Sequence, residues 1–292
     1  MKTLLTVLLL ALPLGLAAQA PPPMLPPQEL DRLVGPIALY PDSLLAQALA
    51  ATTYSDQIPD AAKWADEHHY LTGQALADAI KQDALPWDPS VQAMLPFPAV
   101  LDRLAGDMDW TRRLGDAFLA QPNDVMDAAQ RMRHQAYDYG YLRSGPRVVV
   151  RTGPFITIDP VDPYFIAVPY YDPLVVYAPL RPGFFVGAGI GWGYGIGLGV
   201  WFQPWGWGYT HFGWDRHILF INNAPWKRNW GNRAAYVHPY RGLVRPGPGA
   251  ARVADHHELM GRTEREKSAA RFGHERVEEH RSGGGGARPH RP

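Results

Sequence analysis

Proline sets the tightest limit on how the middle of this chain can fold. Between Ile156 and Pro179 the sequence reads ITIDPVDPYFIAVPYYDPLVVYAP, in which short β-prone pieces alternate with prolines. Because proline has no N–H to donate to a sheet, such pieces can form only edge strands or short strands between turns. We therefore predict a small β unit over residues 145–182. Its predicted strands are Val148–Arg151, Phe155–Ile158, Tyr164–Val168 and Leu174–Tyr177.

Residues 28–144, which precede this unit, carry apolar side chains at helical spacing. Capping residues or prolines that favour a first helical turn mark five helix starts, at Pro41–Asp42, Pro59, Asp88–Pro89, Asp107 and Pro122. Because these helices are short, tertiary packing must stabilise them. The sequence therefore predicts an α+β protein in which a helical bundle packs with the β unit. Trp64, Trp87 and Trp110 are expected in or near the core of that bundle.

The following segment, residues 183–232, is of low complexity and rich in glycine and aromatic residues. Glycine occupies every odd position from Gly187 to Gly199, and seven of the ten tryptophans lie between Trp192 and Trp230. In an extended chain this alternation gives one bare face and one bulky face, whereas in a helix each glycine would cost about 1 kcal/mol relative to alanine. The uncharged run Phe184–Phe202 leaves three alternatives: a surface-seeking β-like segment, a membrane-spanning helix or an unstructured linker.

The two ends of the chain indicate an exported protein with a flexible tail. Residues 1–20 combine Lys2, an apolar run and small residues, as in a secretory signal peptide, with cleavage after Ala18 or Ala20. Residues 21–27 form a proline-rich linker. Residues 233–292 are predicted to form a flexible charged tail. Within it, Val253–Arg281 is charged and lacks an apolar stripe, which is typical of a segment that is disordered or a single helix. We expect the mature protein in the periplasm or attached to the cell envelope.

Charge and cysteine usage exclude several functions. The formal net charge is zero, but residues 21–144 carry 9 basic and 17 acidic residues (net −8), and residues 145–292 carry 18 basic and 11 acidic residues (net +7). The neutral total argues against a nucleic-acid partner. The asymmetry indicates that the halves attract each other or that the basic half faces an anionic partner. The chain has no cysteine, which excludes disulfides, thiol catalysis and a lipidated-cysteine anchor.

No catalytic motif, metal site or cofactor is predicted. The chain has no GxSxG, Walker or HExxH sequence. Histidines and acids at 255–258 and 274–280 are suited to metal binding, but a mobile tail would not hold them in place. One enzymatic alternative remains, an envelope hydrolase or glycan-modifying enzyme with a carboxylate site in the helical domain. Its candidate acids are Asp66, Glu67, Asp107 and Asp109, although carboxylates at helix starts are usually caps.

The aromatic cluster is the pattern that points most directly to a function. Amphipathic rings are favoured at membrane interfaces, and they can equally stack on the sugar rings of an envelope polysaccharide. The remaining alternative is that the rings are buried against the protein itself. The predicted contact residues are Trp192, Trp201, Trp205, Trp207, Trp214, Trp226 and Trp230.

Three long motifs, in order, resemble one known family. They are LVGPIALYPDSLLAQALAATTYSDQI (Leu33–Ile58), the run Leu85–Arg133, and the proline-punctuated stretch described above. Over roughly residues 30–180 they resemble the bacterial secreted family catalogued as domain of unknown function 3300. The resemblance implies a signal peptide, an envelope location and no established activity, and it supplies no catalytic residues. We therefore expect a non-enzymatic binding or structural module that associates with membrane or envelope polymer; no protein partner is predicted.

Overall fold

The computed structural model describes residues 20–179 and 189–240. The first part of the chain is helical. Its helices are α1 (Pro27–Val34), α2 (Asp42–Thr52), the 3-10 turn η1 (Ser55–Gln57), α3 (Ile58–Glu67), α4 (Gly73–Gln82), α5 (Pro89–Gln92), α6 (Pro98–Gly106), α7 (Met108–Ala120) and α8 (Pro122–Asp138).

Short strands and one further α-helix follow α8. They are β1 (Val148–Arg151), β2 (Thr157–Pro160), β3 (Phe165–Ile166), β4 (Pro169–Tyr171), α9 (Pro173–Val176), β5 (Ile190–Trp192), β6 (Ile196–Gly197), η2 (Val200–Trp205), β7 (His211–Gly213), η3 (Trp214–Arg216), β8 (Ile218–Ile221) and β9 (Ala224–Pro225). The predicted α+β class is therefore confirmed.

The five helix starts that the sequence predicts are observed, at α2, α3, α5, α7 and α8, and capping explains two of them directly. The Asp88 carboxylate accepts a hydrogen bond from the Ser90 N–H at 2.9 Å, and the Asp107 carboxylate accepts one from the Trp110 N–H at 2.9 Å. Each cap provides a partner for a first-turn N–H that has none within the helix. Pro59 and Pro122 lie in the first turns of α3 and α8, where a missing N–H is tolerated.

One strand prediction is wrong. Leu174–Tyr177 was expected to be a β-rich piece, but Pro173–Val176 forms the short helix α9. The Asp172 carboxylate accepts a hydrogen bond from the Leu174 N–H at 2.8 Å, the same Asp–Pro capping arrangement that starts α5. The local cap therefore outweighs the β preference of the valines. Strand β1 matches its predicted bounds. Strand β2 (Thr157–Pro160) starts two residues later than the predicted Phe155–Ile158.

The strands form small antiparallel sheets. Strand β1 pairs with β2, and β7, β8 and β9 form a three-stranded sheet in that order. Strand β3 pairs with β6, and β4 pairs with β5. Because β3 and β4 follow each other along one side and β5 and β6 along the other, residues 164–171 and 190–198 form one two-stranded ribbon. We call these two stretches the glycine ribbon.

Two tyrosines attach the ribbon and α9 to the helical domain. The hydroxyls of Tyr171 and Tyr177 both donate to the Gly35 carbonyl, each at 2.8 Å. Burial raises the pKa of both phenols, so both remain protonated donors at neutral pH. The ribbon is thus held at the turn between α1 and α2.

The core extends beyond the helical bundle. The main cluster contains residues of the helices together with Phe202, Trp205 and Trp214 from the aromatic segment. A second cluster beneath β1 and β2 includes Leu39, Leu142, Ile158 and others. Helices α2 and α7 cross closely because residue 115 is glycine; a Cβ there would lie 2.1 Å from the Thr52 carbonyl oxygen.

Several sequence predictions concern residues outside this description. They are the signal peptide apart from Ala20, residues 180–188, and residues 241–292 of the predicted tail. The first residues of that tail, 233–240, pack on the protein, and His238 is buried there. Across residues 20–179 and 189–240, no helix has the length and apolar character needed to cross a membrane.

Candidate functional site

The structure divides the seven predicted contact tryptophans into two groups. Four are buried, with exposed fractions of 8 % or less: Trp205, Trp207, Trp214 and Trp226. Trp201 is 42 % exposed, and Trp192 and Trp230 are half-buried. The aromatic segment therefore does not present its tryptophans as one surface.

The buried indoles use their polar N–H groups inside the protein. The N–H of Trp205 donates to the Gln92 side-chain oxygen at 3.0 Å, and that of Trp207 donates to the Ala93 carbonyl at 3.1 Å. The Trp226 ring stacks on Phe118, with ring centres 5.2 Å apart. Since buried tryptophan needs such a partner for its N–H, these contacts account for how residues 200–226 dock on the helices.

A buried ion pair forms the centre of this docking. The Asp42 carboxylate accepts from the Arg133 guanidinium at 2.6 Å, from the Trp214 indole N–H at 2.9 Å and from the Ile158 N–H at 3.2 Å. Arg133 has no exposed surface. Its other hydrogen bonds go to the carbonyls of Ala38, Tyr40 and Ile156. All its partners are internal, so the pair joins α2, α8, β2 and η3 and has a structural role.

Three exposed aromatic side chains lie on the glycine ribbon. Phe165 is 52 % exposed, Tyr170 is 65 % exposed and Tyr194 is 91 % exposed. We call these three residues the aromatic face, although the strand register places Tyr170 on the other side of the ribbon from Phe165 and Tyr194. The ribbon contacts both core clusters, because Ile166 and Leu198 belong to the main cluster and Ile190 belongs to the second.

Two rings of the aromatic face cover glycines of the neighbouring strand. Tyr170 lies opposite Gly191, and Phe165 lies opposite Gly197. A Cβ on Gly191 would be 2.0 Å from Cζ of Tyr170, and one on Gly197 would be 3.2 Å from Cε1 of Phe165. Each ring therefore lies in the space that a cross-strand side chain would occupy, the arrangement by which aromatic residues stabilise glycine in sheets.

Tyr194 lies between these two pairs, in a β-bulge. The register changes by one residue between the Ile166↔Ile196 pair and the hydrogen bond from the Gly193 N–H to the Val168 carbonyl. Tyr194 and Gly195 consequently both face Ala167, and the bulge directs the Tyr194 ring into solvent. The guanidinium carbon of Arg147 lies 5.3 Å from the centre of that ring, within cation–π distance.

The carboxylates of the enzymatic alternative are caps or exposed groups. Asp107 caps α7, and Asp109 pairs on the surface with Arg112 at 3.0 Å. Asp66 and Glu67 are exposed at the end of α3. Within the described ranges, no group of three or more histidines and acids is placed to hold a metal ion. The histidine and acid clusters of residues 255–280 lie outside those ranges.

Sequence analysis missed Phe165 and Tyr170 and included Tyr194 only in the wider aromatic segment. A usable signal was present. Aromatic pairs occur at Tyr164–Phe165 and Tyr170–Tyr171, and a strand of alternating glycines follows. Pairing the two stretches as antiparallel strands places aromatic rings opposite glycines. Because proline predicts breaks between strands, Pro163 and Pro169 argue against this pairing in the sequence.

Comparison with known proteins identifies the family. The family described as "Protein of unknown function (DUF3300)" matches residues 26–238, so the chain belongs to it. The match includes the aromatic segment and the residues that pack after it. The chain is also 34 % identical over 182 residues to "Uncharacterized protein YacH" of Escherichia coli (strain K12). That similarity covers 51 % of this chain and 29 % of the relative, so the chain corresponds to less than a third of the relative's length. No solved structure matches the chain.

Proposed function

We propose that the mature protein is an exported, non-enzymatic binding module of the cell envelope, which attaches to its partner through the aromatic face. The observation that carries this proposal is the exposure of Phe165, Tyr170 and Tyr194, at 52 %, 65 % and 91 %, on one short ribbon fixed to the core. Single exposed apolar residues are normal, but three exposed aromatic rings on one short ribbon favour contact with another molecule.

The leader sequence supports the proposed location. Residues 1–20 have the charged start, apolar run and small residues of an export signal. An exported protein of this kind meets two extended partners, the membrane surface and the envelope polysaccharide, and aromatic rings suit both. Nucleic acid is not among the proposed partners, because the formal net charge is zero.

The hydrolase alternative has less support. A glycosidase needs two carboxyl groups facing each other across the scissile bond. Asp107 is engaged as a helix cap, and the Asp109 side chain is 92 % exposed beside Arg112. These positions suit helix capping and surface solvation rather than acid–base chemistry.

Cell fractionation tests the proposal. Phe165→Ala, Tyr170→Ala and Tyr194→Ala, combined in one variant, should move the protein from the envelope fraction to the soluble fraction. All three side chains are largely exposed, so the variant should remain folded. Replacing Trp205, Trp207 or Trp214 would be a poorer test, because those residues are buried and their loss would disturb the core.

A matched control removes equally exposed apolar groups elsewhere. Met24, Tyr70 and Val237 are 64 %, 68 % and 53 % exposed, and Met24→Ala, Tyr70→Ala and Val237→Ala together should leave the distribution unchanged. If the aromatic-face variant fractionates like the wild-type protein, or if both triple variants are released equally, the aromatic face does not attach the protein.

A further inference from the structure

The last residues that the structure describes form a strap across the protein surface. Residues 233–240, which we call the strap, belong to no helix or strand. Two main-chain carbonyls of the strap accept hydrogen bonds: Arg233 accepts from Nη2 of Arg228 at 3.0 Å, and Pro239 accepts from the Asn222 side-chain amide at 3.2 Å. His238 is buried, with 5 % of its surface exposed. Because segments outside helices and sheets open at low free-energy cost, the contacts of this side chain weigh heavily in holding the strap.

A chain of hydrogen bonds defines the protonation state of His238. The Ile221 carbonyl lies 2.7 Å from Nε2 and can only accept, so Nε2 carries a proton. The Tyr236 hydroxyl accepts from the Lys227 N–H at 2.8 Å and lies 2.9 Å from Nδ1. Burial raises the pKa of Tyr236, so the hydroxyl keeps its proton and donates it to Nδ1. These contacts therefore match the neutral imidazole with its proton on Nε2.

Uptake of a second ring proton conflicts with this chain. A proton on Nδ1 presents a donor to the Tyr236 hydroxyl where the neutral ring presents an acceptor, so the hydroxyl has to turn its own proton away. The imidazolium is also deprived of hydration, because the His238 side chain is buried. Both effects favour an open strap, in which water solvates the protonated ring.

The groups that face His238 reduce this cost without removing it. Within the strap, Tyr236 contacts Nδ1, and the Tyr240 ring lies edge-on to the imidazole with ring centres 5.1 Å apart. From β8 the Ile221 carbonyl accepts from Nε2, and from the helical domain the Asp88 carboxylate acts on the ring by its charge. Burial, the largest effect, lowers the pKa of His238 below its usual 6.5, although Ile221 and Asp88 act to raise it.

We propose that acid releases the strap: when His238 takes up a proton, residues 233–240 leave the protein surface, while residues 200–226 stay packed on the helical domain. The indole hydrogen bonds that hold that segment, from Trp205 to Gln92 and from Trp207 to Ala93, join neutral groups and do not depend on pH.

Release changes the surface that the protein presents. It uncovers the Trp226 ring, which the Tyr236 ring contacts edge-on with centres 6.0 Å apart, and it frees the Arg228 donors that the Arg233 carbonyl now occupies. Because residues 241–292 continue from the strap, it also frees the point at which they are attached. The strap is thus a pH-sensitive cover over one aromatic ring and one cation.

Spin labelling tests the inference, because the chain has no cysteine and one can be introduced at a chosen position. A nitroxide on Val237→Cys, at a strap position that is 53 % exposed, reports the mobility of the strap. A nitroxide on Tyr209→Cys, at a position that is 37 % exposed, reports the mobility of residues 200–226. Between pH 7.5 and pH 5 the Val237→Cys label should reversibly lose its immobilised spectral component, with a midpoint below about pH 6.5. The Tyr209→Cys label should keep its spectrum.

His238→Gln separates the histidine from general effects of acid. Glutamine offers a donor for Ile221 and an acceptor for Tyr236, as the neutral imidazole does, so the Val237→Cys label should stay immobilised at both pH values. Acid release that persists in His238→Gln overturns the inference, as does a strap label with the same spectrum at pH 7.5 and pH 5 in the otherwise unchanged protein. Simultaneous mobilisation of both labels would show general unfolding and also overturn it.

Asp88→Asn decides the case in which His238→Gln leaves the strap mobile at both pH values. Asparagine keeps the N-cap of α5 but removes the negative charge that favours the protonated imidazole. The midpoint of release should therefore move to lower pH. The matched control is Asp109→Asn, at a carboxylate that is 92 % exposed on α7, which should leave the midpoint unchanged. A midpoint that stays in place or rises in Asp88→Asn would show that His238 does not control the strap.

Discussion

Two halves of one glycine-aromatic segment have similar compositions and opposite environments. Residues 200–226, which we call the docked half, pack on the helical domain, and Trp205 and Trp207 are buried there. Residues 190–198 form a strand of the glycine ribbon, where Tyr194 is 91 % exposed. Aromatic content therefore does not by itself decide whether a segment is core or surface.

The difference lies in what the helical domain offers to each half. The docked half finds hydrogen-bond acceptors for its indole N–H groups in Gln92, Ala93 and Asp42. In the ribbon, Gly191 and Gly197 have no side chains, and the Tyr170 and Phe165 rings of the opposite strand cover them. Buried acceptors select which aromatic residues enter the core, and the cross-strand glycines select two of those that stay exposed.

The largest expected effect comes from removing the acceptor at the centre of the docked half. Asp42→Ala leaves the fully buried Arg133 without its carboxylate and leaves the N–H groups of Trp214 and Ile158 without an acceptor. We expect the free energy of unfolding to fall by about 3–5 kcal/mol, as for other broken buried pairs. Urea denaturation followed by tryptophan fluorescence measures it.

An exposed ion pair provides the comparison for this variant. Asp31 pairs with Arg131 at 2.6 Å, with side chains 27 % and 41 % exposed. Asp31→Ala should lower stability by about 1 kcal/mol or less, because solvent screens such pairs. If the two aspartate variants are equally stable, the Asp42 cluster does not hold the docked half in place.

Sequence patterns predicted the helical half of the fold well. Asp88, Asp107, Pro59 and Pro122 each mark a helix start by a local rule that needs no tertiary information. The same rule applied to Asp172–Pro173 predicts α9, whereas the β propensity of Val175 and Val176 predicts a strand there.

The site was harder to predict because its exposure depends on contacts distant in sequence. Trp207 is buried because the Ala93 carbonyl is available 114 positions earlier in the chain. Tyr170 is exposed because its ring covers Gly191 and not the core. Composition showed that the segment contains aromatic residues in excess, but long-range strand register decided which of them reach solvent.

A second prediction uses pH to weaken the contact between residues 233–240 and the docked half. His238 is buried and contacts the Ile221 carbonyl at 2.7 Å and the Tyr236 hydroxyl at 2.9 Å. Burial lowers the pKa of His238 below its usual 6.5. The unfolded state binds the proton more readily. The contribution of His238 to the free energy of unfolding is therefore fully present above about pH 6.5, and it is lost as the pH drops through the lowered pKa of the folded state.

Unfolding free energies at pH 7.5 and pH 5 measure this effect. His238→Gln should be less stable than the wild-type protein at pH 7.5 but should lose less stability on acidification. His69→Gln, at an exposed position on the helical domain, should keep the wild-type pH dependence. An unchanged pH dependence in His238→Gln would show that acid acts elsewhere; residues 190–198 contain no histidine or acid that could respond.

A last comparison places one glycine substitution in each half. In the ribbon, Gly191→Ala displaces only the outer end of the exposed Tyr170 side chain, so stability should change by less than about 1 kcal/mol. In the docked half, Gly206 has φ +89° and a Cβ there would lie 3.1 Å from Ile221, so Gly206→Ala should be destabilised by about 1–3 kcal/mol. Urea denaturation gives both values.

Envelope fractionation should then show the opposite order. Gly191→Ala should be released because the Tyr170 ring is displaced, and Gly206→Ala should be retained as long as it is folded. Equal retention of both variants would mean that the position of the Tyr170 ring does not matter for attachment, and the comparison between a structural half and a binding half would fail.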